Sequence, residues 1–319
     1  MSLLINMPGR SWRDALPPLS GAQRALAGEL RRDVTYLAVD IGARNIWRPE
    51  SMSAVQRMIG EAFTAAGLPV VYSHYTIGTM QCVNIEATLR GATHPDEIIV
   101  IGAHYDTVDE TPGADDNASG IAGLLALARA AGQHRPARTL RFVAFANEEP
   151  PFFQTEQMGS VVYAGLCRAR GDDIRAMLCL EMLGYYRDEK GTQWYPPVLG
   201  PLLRPLFPSE GNFIGFVSNL RSLQLLRQTV GAFRRAAQFP SEGAVLPAFI
   251  SGLSDNWSFW QHGYPAVMVT DTAMFRNPHY HTAGDLPETL DFERMARVVS
   301  GLEAVMIELA GGDVLREND

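Results

Sequence analysis

Ile98-Ile99-Val100-Ile101-Gly102-Ala103-His104-Tyr105-Asp106, followed shortly by Pro112-Gly113-Ala114-Asp115-Asp116-Asn117-Ala118-Ser119-Gly120, decides how this chain folds. A run of β-branched residues ends in His-x-Asp, a Gly/Pro loop follows, and two adjacent acids open an Ala/Leu-rich helix. A continuous apolar run marks a strand buried on both faces, as in a parallel sheet covered by helices. Imidazole and carboxylate donors on a strand end and a helix start suit divalent metals. His104 and Asp116 therefore begin a metal site that the rest of the chain must complete.

Working outward, the same pattern recurs. Residues 140–146 read as a second apolar strand, 158–170 as a helix, 177–182 as a third strand and 266–270 as a fourth. A closing helix over 292–309 starts at Asp291 and carries Phe292, Met295, Val299, Leu302, Met306 and Leu309 at three-to-four spacing. Upstream, 19–42 and 53–66 read as amphipathic helices, an extended stretch begins at Pro69, and 82–89 alternates like a half-buried strand. The expectation is a single α/β domain over 1–319, with a mainly parallel, mixed central sheet flanked by helices. Residues 185–250 read as an irregular insertion, rich in proline, glycine and aromatics, with one helix at about 220–237. Such an excursion covers a pocket or simply runs over the surface. In parallel sheets the ligand site lies at the carboxyl ends of the strands.

Composition excludes several classes. The 319 residues carry a formal net charge of −8, which disfavours a phosphate-backbone partner and hence nucleic acid. Cys82, Cys167 and Cys179 are odd in number and unpaired in motif, against a disulfide framework or a thiolate metal site. The N-terminus lacks the basic start and apolar run of a signal peptide, and no apolar stretch reaches membrane-spanning length. Cytoplasmic is the expected location, with no membrane partner; oligomeric state is not legible.

The chemistry is read at the strand ends. After the first strand come His104 and Asp106; after the second, Asn147-Glu148-Glu149; at the end of the third, Glu181; beyond the fourth, His279-Tyr280-His281. Taken singly, each has a plain explanation: a satisfied histidine, a solvated acid pair, a helix cap. Taken together on one rim, the carboxylates repel unless cations neutralise them. The set is best read as a site for two divalent metals bridged by one carboxylate.

At these residues the chain resembles a known family. Gly102-Ala103-His104-Tyr105-Asp106, Gly113-Ala114-Asp115-Asp116-Asn117-Ala118-Ser119-Gly120, Asn147-Glu148-Glu149, Gly159-Ser160, Ser254-Asp255 and Tyr280-His281-Thr282-Ala283-Gly284-Asp285 look like signatures of peptidase family M28. These are zinc-dependent aminopeptidases with co-catalytic metals, of the bacterial leucyl aminopeptidase type. The resemblance runs from about residue 80 to the C-terminus and is weakest across 185–250. It implies a zinc-exopeptidase (phosphorylase/hydrolase-like) fold, a peptide or aminoacyl substrate, and zinc as cofactor, two ions expected and one possible. It further implies that His104 and Glu181 bind one zinc, that Glu149 and His281 bind the other, and that Asp116 bridges them. Glu148 matches the general base, Asp106 the acid that holds the His104 ring, and Tyr280 a tyrosine that stabilises the tetrahedral intermediate. The Asp116–Asn117 peptide is cis in relatives, and Asp255 falls at a position near the site.

Two departures stand out. Glu181 occupies a position often held by aspartate, and the Pro150-Pro151-Phe152-Phe153 loop replaces a shorter, glycine-rich one. That loop either shapes a pocket for a bulky side chain or packs under the rim. Two alternative functions remain open at this level: a glutaminyl-cyclase-like acyltransferase on the same fold, and a non-catalytic metal-site binding protein.

Overall fold

The structure, a computed structural model, describes residues 2–311, 313 and 314; residues 1, 312 and 315–319, the two ends of the expected 1–319 span, lie outside it. Two helices lead into the sheet: α1 (Gly21–Thr35) and α2 (Pro49–Ala65). A capping box in which Ser20 and Gln23 exchange hydrogen bonds starts α1, satisfying amides that a helix start otherwise leaves unpaired. Pro49 opens α2, where its missing N–H costs nothing. The expected 19–42 helix stops at Thr35, and residues 36–41 continue as a wider turn ended by Gly42 at φ +77°.

The strands are β1 (Val70–Ile77), β2 (Met80–Leu89), β3 (His94–His104), β4 (Arg138–Phe145), β5 (Asp173–Glu181), β6 (Ile214–Ser218), β7 (Ser241–Val245) and β8 (Ala266–Thr270). They form one eight-stranded sheet in the order β1-β2-β4-β3-β5-β8-β6-β7. The central neighbours β4, β3, β5 and β8 are parallel. The β1–β2 hairpin joins antiparallel to β4 on one side, and β6 joins antiparallel to β8 on the other.

Alternation along the central strands explains the layers. Ile99, Ile101 and Ala103 of β3 share a large core with Leu140, Phe142 and Ala144 of β4 and with Leu178 and Leu180 of β5. This core is closed by Leu30 of α1, Phe63 of α2, Leu124 of α3 (Gly120–Ala131) and Leu302 of α7 (Phe292–Ala310). The intervening Ile98, Val100, Val143, Phe145, Met177 and Cys179 face the other way. They meet Tyr163 and Cys167 of α4 (Gly159–Arg170) and Phe259 and Trp260 of α6 (Asn256–Gln261). Each fully buried Leu, Ile, Val or Phe contributes about 1.5–3 kcal/mol. α5 (Leu223–Ala236) and α7 (Phe292–Ala310) pack together on the larger core, so tightly that a Cβ at Gly301 would stand 2.5 Å from Phe233.

Residues 185–250 are more regular than their sequence suggests. They supply β6 and β7, which pair in parallel and extend the main sheet, with α5 between them. Five-residue strands with glycines at 215 and 243 carry too little alternation to read from composition.

Candidate metal centre

His104 ends β3 with the same parity as Ile98 and Val100, and Glu181 ends β5 with the parity of Met177 and Cys179. Strand alternation therefore brings both to the side of the sheet covered by α4 and α6. Because β3 and β5 are adjacent and parallel, their ends lie at one edge. His104 Nε2 stands 3.3 Å from Glu181 Oε2 and 3.4 Å from Asp116 Oδ1.

Asp116 sits in the bend of Ala114–Ser119, at φ −105° and ψ 91°, with a cis peptide to Asn117. Its neighbours anchor the bend. The Asn117 amide donates to Leu180 O while its oxygen accepts from the Gly120 and Met182 amides, tying β5 to the start of α3. Ser119 donates to Asp115 O and accepts from Leu183 N. The Asp115 carboxyl accepts from Gly184 N and from the Asn277 side chain.

Two further carboxylates act as clamps. Asp285 accepts the Asp115 and Asp116 amides at 2.9 and 3.0 Å. Asp106 accepts the Glu148 and Glu149 amides at 3.0 and 3.1 Å. The His104 ring is nearer to the Asp106 main chain, with Nδ1 3.2 Å from its carbonyl oxygen and 3.5 Å from its carboxylate. The His-x-Asp spacing thus serves ring and loop together. The Asp285 clamp, and Asp115 with Asn277 behind it, carry no distinctive spacing. Only the quoted motif that ends in Asp285 hinted at it.

On the far side of Asp116, Oδ2 is 3.1 Å from His281 Nε2, which is in turn 3.2 Å from Glu149 Oε2. Two triads of donors share Asp116: His104, Asp116 and Glu181, and Asp116, Glu149 and His281; His104, Glu148 and Glu149 form a third that lacks it. Tetrahedral metal–ligand bonds of about 2.0–2.1 Å give ligand-to-ligand edges of roughly 3.3 Å, which these separations match. His281 Nε2 is buried and near two carboxylates, yet has no well-directed hydrogen bond among the described residues. A lone pair directed between two acids fits a cation held among them. On donor chemistry and spacing, the residues fit zinc.

The electrostatics agree. Burial pushes Glu149 up to about 8 and holds Glu148 and Glu181 above the usual carboxylate range. Burial pulls the His281 imidazole down, but Asp116 and Glu149 outweigh it and push it up to about 10. Burial also works against the Asp116 anion, yet the flanking imidazoles hold it below the ordinary range.

Glu148, buried, lies with its Oε2 3.9 Å from His104 Nε2. Tyr280 stacks on His281 with ring centroids 3.7 Å apart, and burial keeps its phenol protonated. His279 turns away, edge-on to Tyr185. Asp255 is fully buried with both carboxylate oxygens unpartnered among the described residues, and burial pushes it up to about 7. Ser254, beside it, donates to Glu181.

From Glu181 and Tyr280 a cavity of about 110 Å³ runs along the sheet, walled by Trp194, Tyr195, Phe207, Phe213 and Phe275. Most of its walls come from the 185–250 stretch, which covers a pocket, and Met274 and Phe275 close the rest. The 150–158 loop instead packs beside the β1–β2 hairpin: Phe152 joins Ile77 and Cys82 and stacks on Trp47.

The family model described as Peptidase family M28 matches residues 84–306. A protein of Escherichia coli (strain K12) named Uncharacterized protein YfbL is 37% identical over 301 residues, covering 91% of this chain and 90% of its own length. The solved structure of BSAP, a zinc aminopeptidase from Bacillus subtilis, aligns with a TM-score of 0.71 at 14% identity, over 89% of this chain and 95% of that one. Fimbriiglobus ruber glutaminyl cyclase aligns with a TM-score of 0.65 at 19% identity, over 93% and 98% of the two chains. At such identities the two structures speak to the fold alone. No helix among the described residues is long and apolar enough to cross a membrane.

Proposed function

This chain belongs to Peptidase family M28, and on that premise we propose that it is a zinc-dependent aminopeptidase that works with two metal ions. One observation carries the reading: two ligand triads share Asp116, and the buried Glu148 carboxylate stands beside the first of them. His104 and Glu181 would hold one ion, Glu149 and His281 the other, and Asp116 both. When bound, zinc supplies a Lewis acid that lowers the pKa of water and polarises a carbonyl.

The rest falls to the chain's own side chains. Glu148 takes the proton from the attacking water and delivers it to the leaving amine; its burial raises its proton affinity for that task. The Asp106 carboxylate fixes the Glu148 and Glu149 amides, and so the position of both carboxyls. The protonated Tyr280 phenol donates toward the developing oxyanion. The aromatic cavity beside Glu181 receives the side chain of the residue to be released. Three free, buried cysteines fit a cytoplasmic location.

The test compares zinc-reconstituted protein on aminoacyl chromogenic substrates with free and blocked amines. Hydrolysis of the free-amine substrates alone is expected. Glu148→Ala is expected to lower kcat by about 10²–10⁴-fold while zinc content is retained. Wild-type turnover in that variant, or cleavage of blocked substrates only, would overturn the reading. An amino-terminal glutaminyl peptide that loses ammonia but keeps its full length would move the assignment to an acyltransferase.

A further inference from the structure

Arg44 is fully buried, and among the described residues every group its guanidinium donates to is a main-chain carbonyl. Nε reaches Tyr105 O at 2.9 Å, and Nη2 reaches Gly113 O at 3.0 Å. Nη1 reaches Leu37 O at 2.9 Å, Gly42 O at 3.0 Å and Pro112 O at 2.8 Å. Its own backbone is paired both ways with Thr107: Arg44 N donates to Thr107 Oγ1, and Thr107 N donates to Arg44 O. Tyr105 lies between His104 and Asp106. Pro112 and Gly113 lead into the bend that carries Asp116. One side chain thus joins the strand end that carries one ligand to the turn that carries another, and ties both to the wide turn after α1.

A buried cation without a carboxylate in contact is costly, and an apolar side chain would fill the space more cheaply. What an apolar side chain lacks is a planar fork of donors in fixed directions. Arg44 lies outside the 84–306 stretch that matches the family model, so the N-terminal segment supplies it.

We propose that Arg44 is a positioning residue for the metal centre, setting the separation of the His104 strand end and the Asp116 turn before metal arrives. The inference rests on the zinc reading above. It makes a prediction whose sign separates position from charge. A cation behind the site opposes a divalent ion, so losing its charge alone would tighten zinc binding. Losing the fork loosens the ligands and weakens it.

The experiment titrates metal-free wild type, Arg44→Lys and Arg44→Met with zinc against a competing chelator, with circular dichroism and thermal melting in parallel. Val55→Ala, a core truncation in α2 that touches no proposed ligand's hydrogen bonds, reports what loss of stability alone does to affinity. Both Arg44 variants are expected to bind zinc about 10–100-fold more weakly, with Val55→Ala unchanged. Lysine keeps the charge but not the fork, and being the conservative change it carries the test if the methionine variant does not fold. Unchanged or tighter zinc binding in the folded Arg44 variants overturns the inference, as does an equal loss in Val55→Ala. Wild type that takes up no zinc overturns the zinc reading instead.

Discussion

Gly113 stands at φ +61°, and a Cβ there would lie 2.3 Å from both Asp116 O and Thr107 Cγ2. The left-handed backbone costs about 1–3 kcal/mol for other residues, and the collision must be relieved by moving the bend that carries Asp116. Gly113→Ala is therefore expected to lower the urea midpoint and to weaken zinc binding together, in unfolding and chelator-competition measurements. At this scale the sequence is an uneven guide. His104, Asp116, Glu148, Glu149, Glu181 and His281 could be picked out because acids and imidazoles recur together at successive strand ends and a helix start of one chain. Arg44 could not. Its partners are main-chain carbonyls, which every residue has, so no spacing of side chains announces it.

Between elements, register decides what the strands present. Glu181 pairs with Thr270, Thr270 with Gly215, and Gly215 with Glu242, so four residues on four neighbouring strands form one row. All four line the aromatic cavity, and the next row on that face supplies Met268, Val217 and Ala244. Gly215 is the gap in this floor: its nearest obstruction to a Cβ is Thr270 O at 3.1 Å. A valine there would raise the floor. Gly215→Val is expected to cut kcat/KM for phenylalanyl substrates about 10-fold or more relative to alanyl ones, since one or two methylenes in an apolar pocket decide 1–3 kcal/mol. Equal losses on both substrates would show that Gly215 does not shape the pocket. The parallel centre of the sheet was legible because its strands are unbroken apolar runs. β6 and β7 were not, because the glycine that opens the cavity also erases the alternation that marks a strand.

Across the whole molecule, the sheet edge gathers acids that need a counter-charge. Without metal the site keeps protons, with Glu149 at about 8 through burial and His281 at about 10, where the Asp116 and Glu149 acids outweigh burial. Zinc needs both groups deprotonated. Its uptake near neutral pH must therefore release protons, and its apparent affinity must rise with pH until those groups have titrated. Calorimetric titrations in buffers of different ionisation enthalpy check the release. The same linkage makes chelation destabilising: zinc free at about 100 times its Kd adds about 2.7 kcal/mol, so the melting temperature is expected to fall on its removal. A melting temperature indifferent to chelator would place the metal elsewhere.

The Asp285 clamp has a temporal side. It fixes amides that lie 170 and 169 residues earlier in the chain. At ordinary translation rates that distance takes roughly 10–30 s to synthesise. Once residue 181 has been added, and until residue 281 is, the nascent polypeptide carries His104, Asp116, Glu148, Glu149 and Glu181, but neither the His281 imidazole nor the clamp for the Asp116 turn. On the proposed ligand set, hydrolytic competence therefore awaits His281. A ribosome-bound fragment ending short of residue 281 has no complete second triad with which to attack its neighbours.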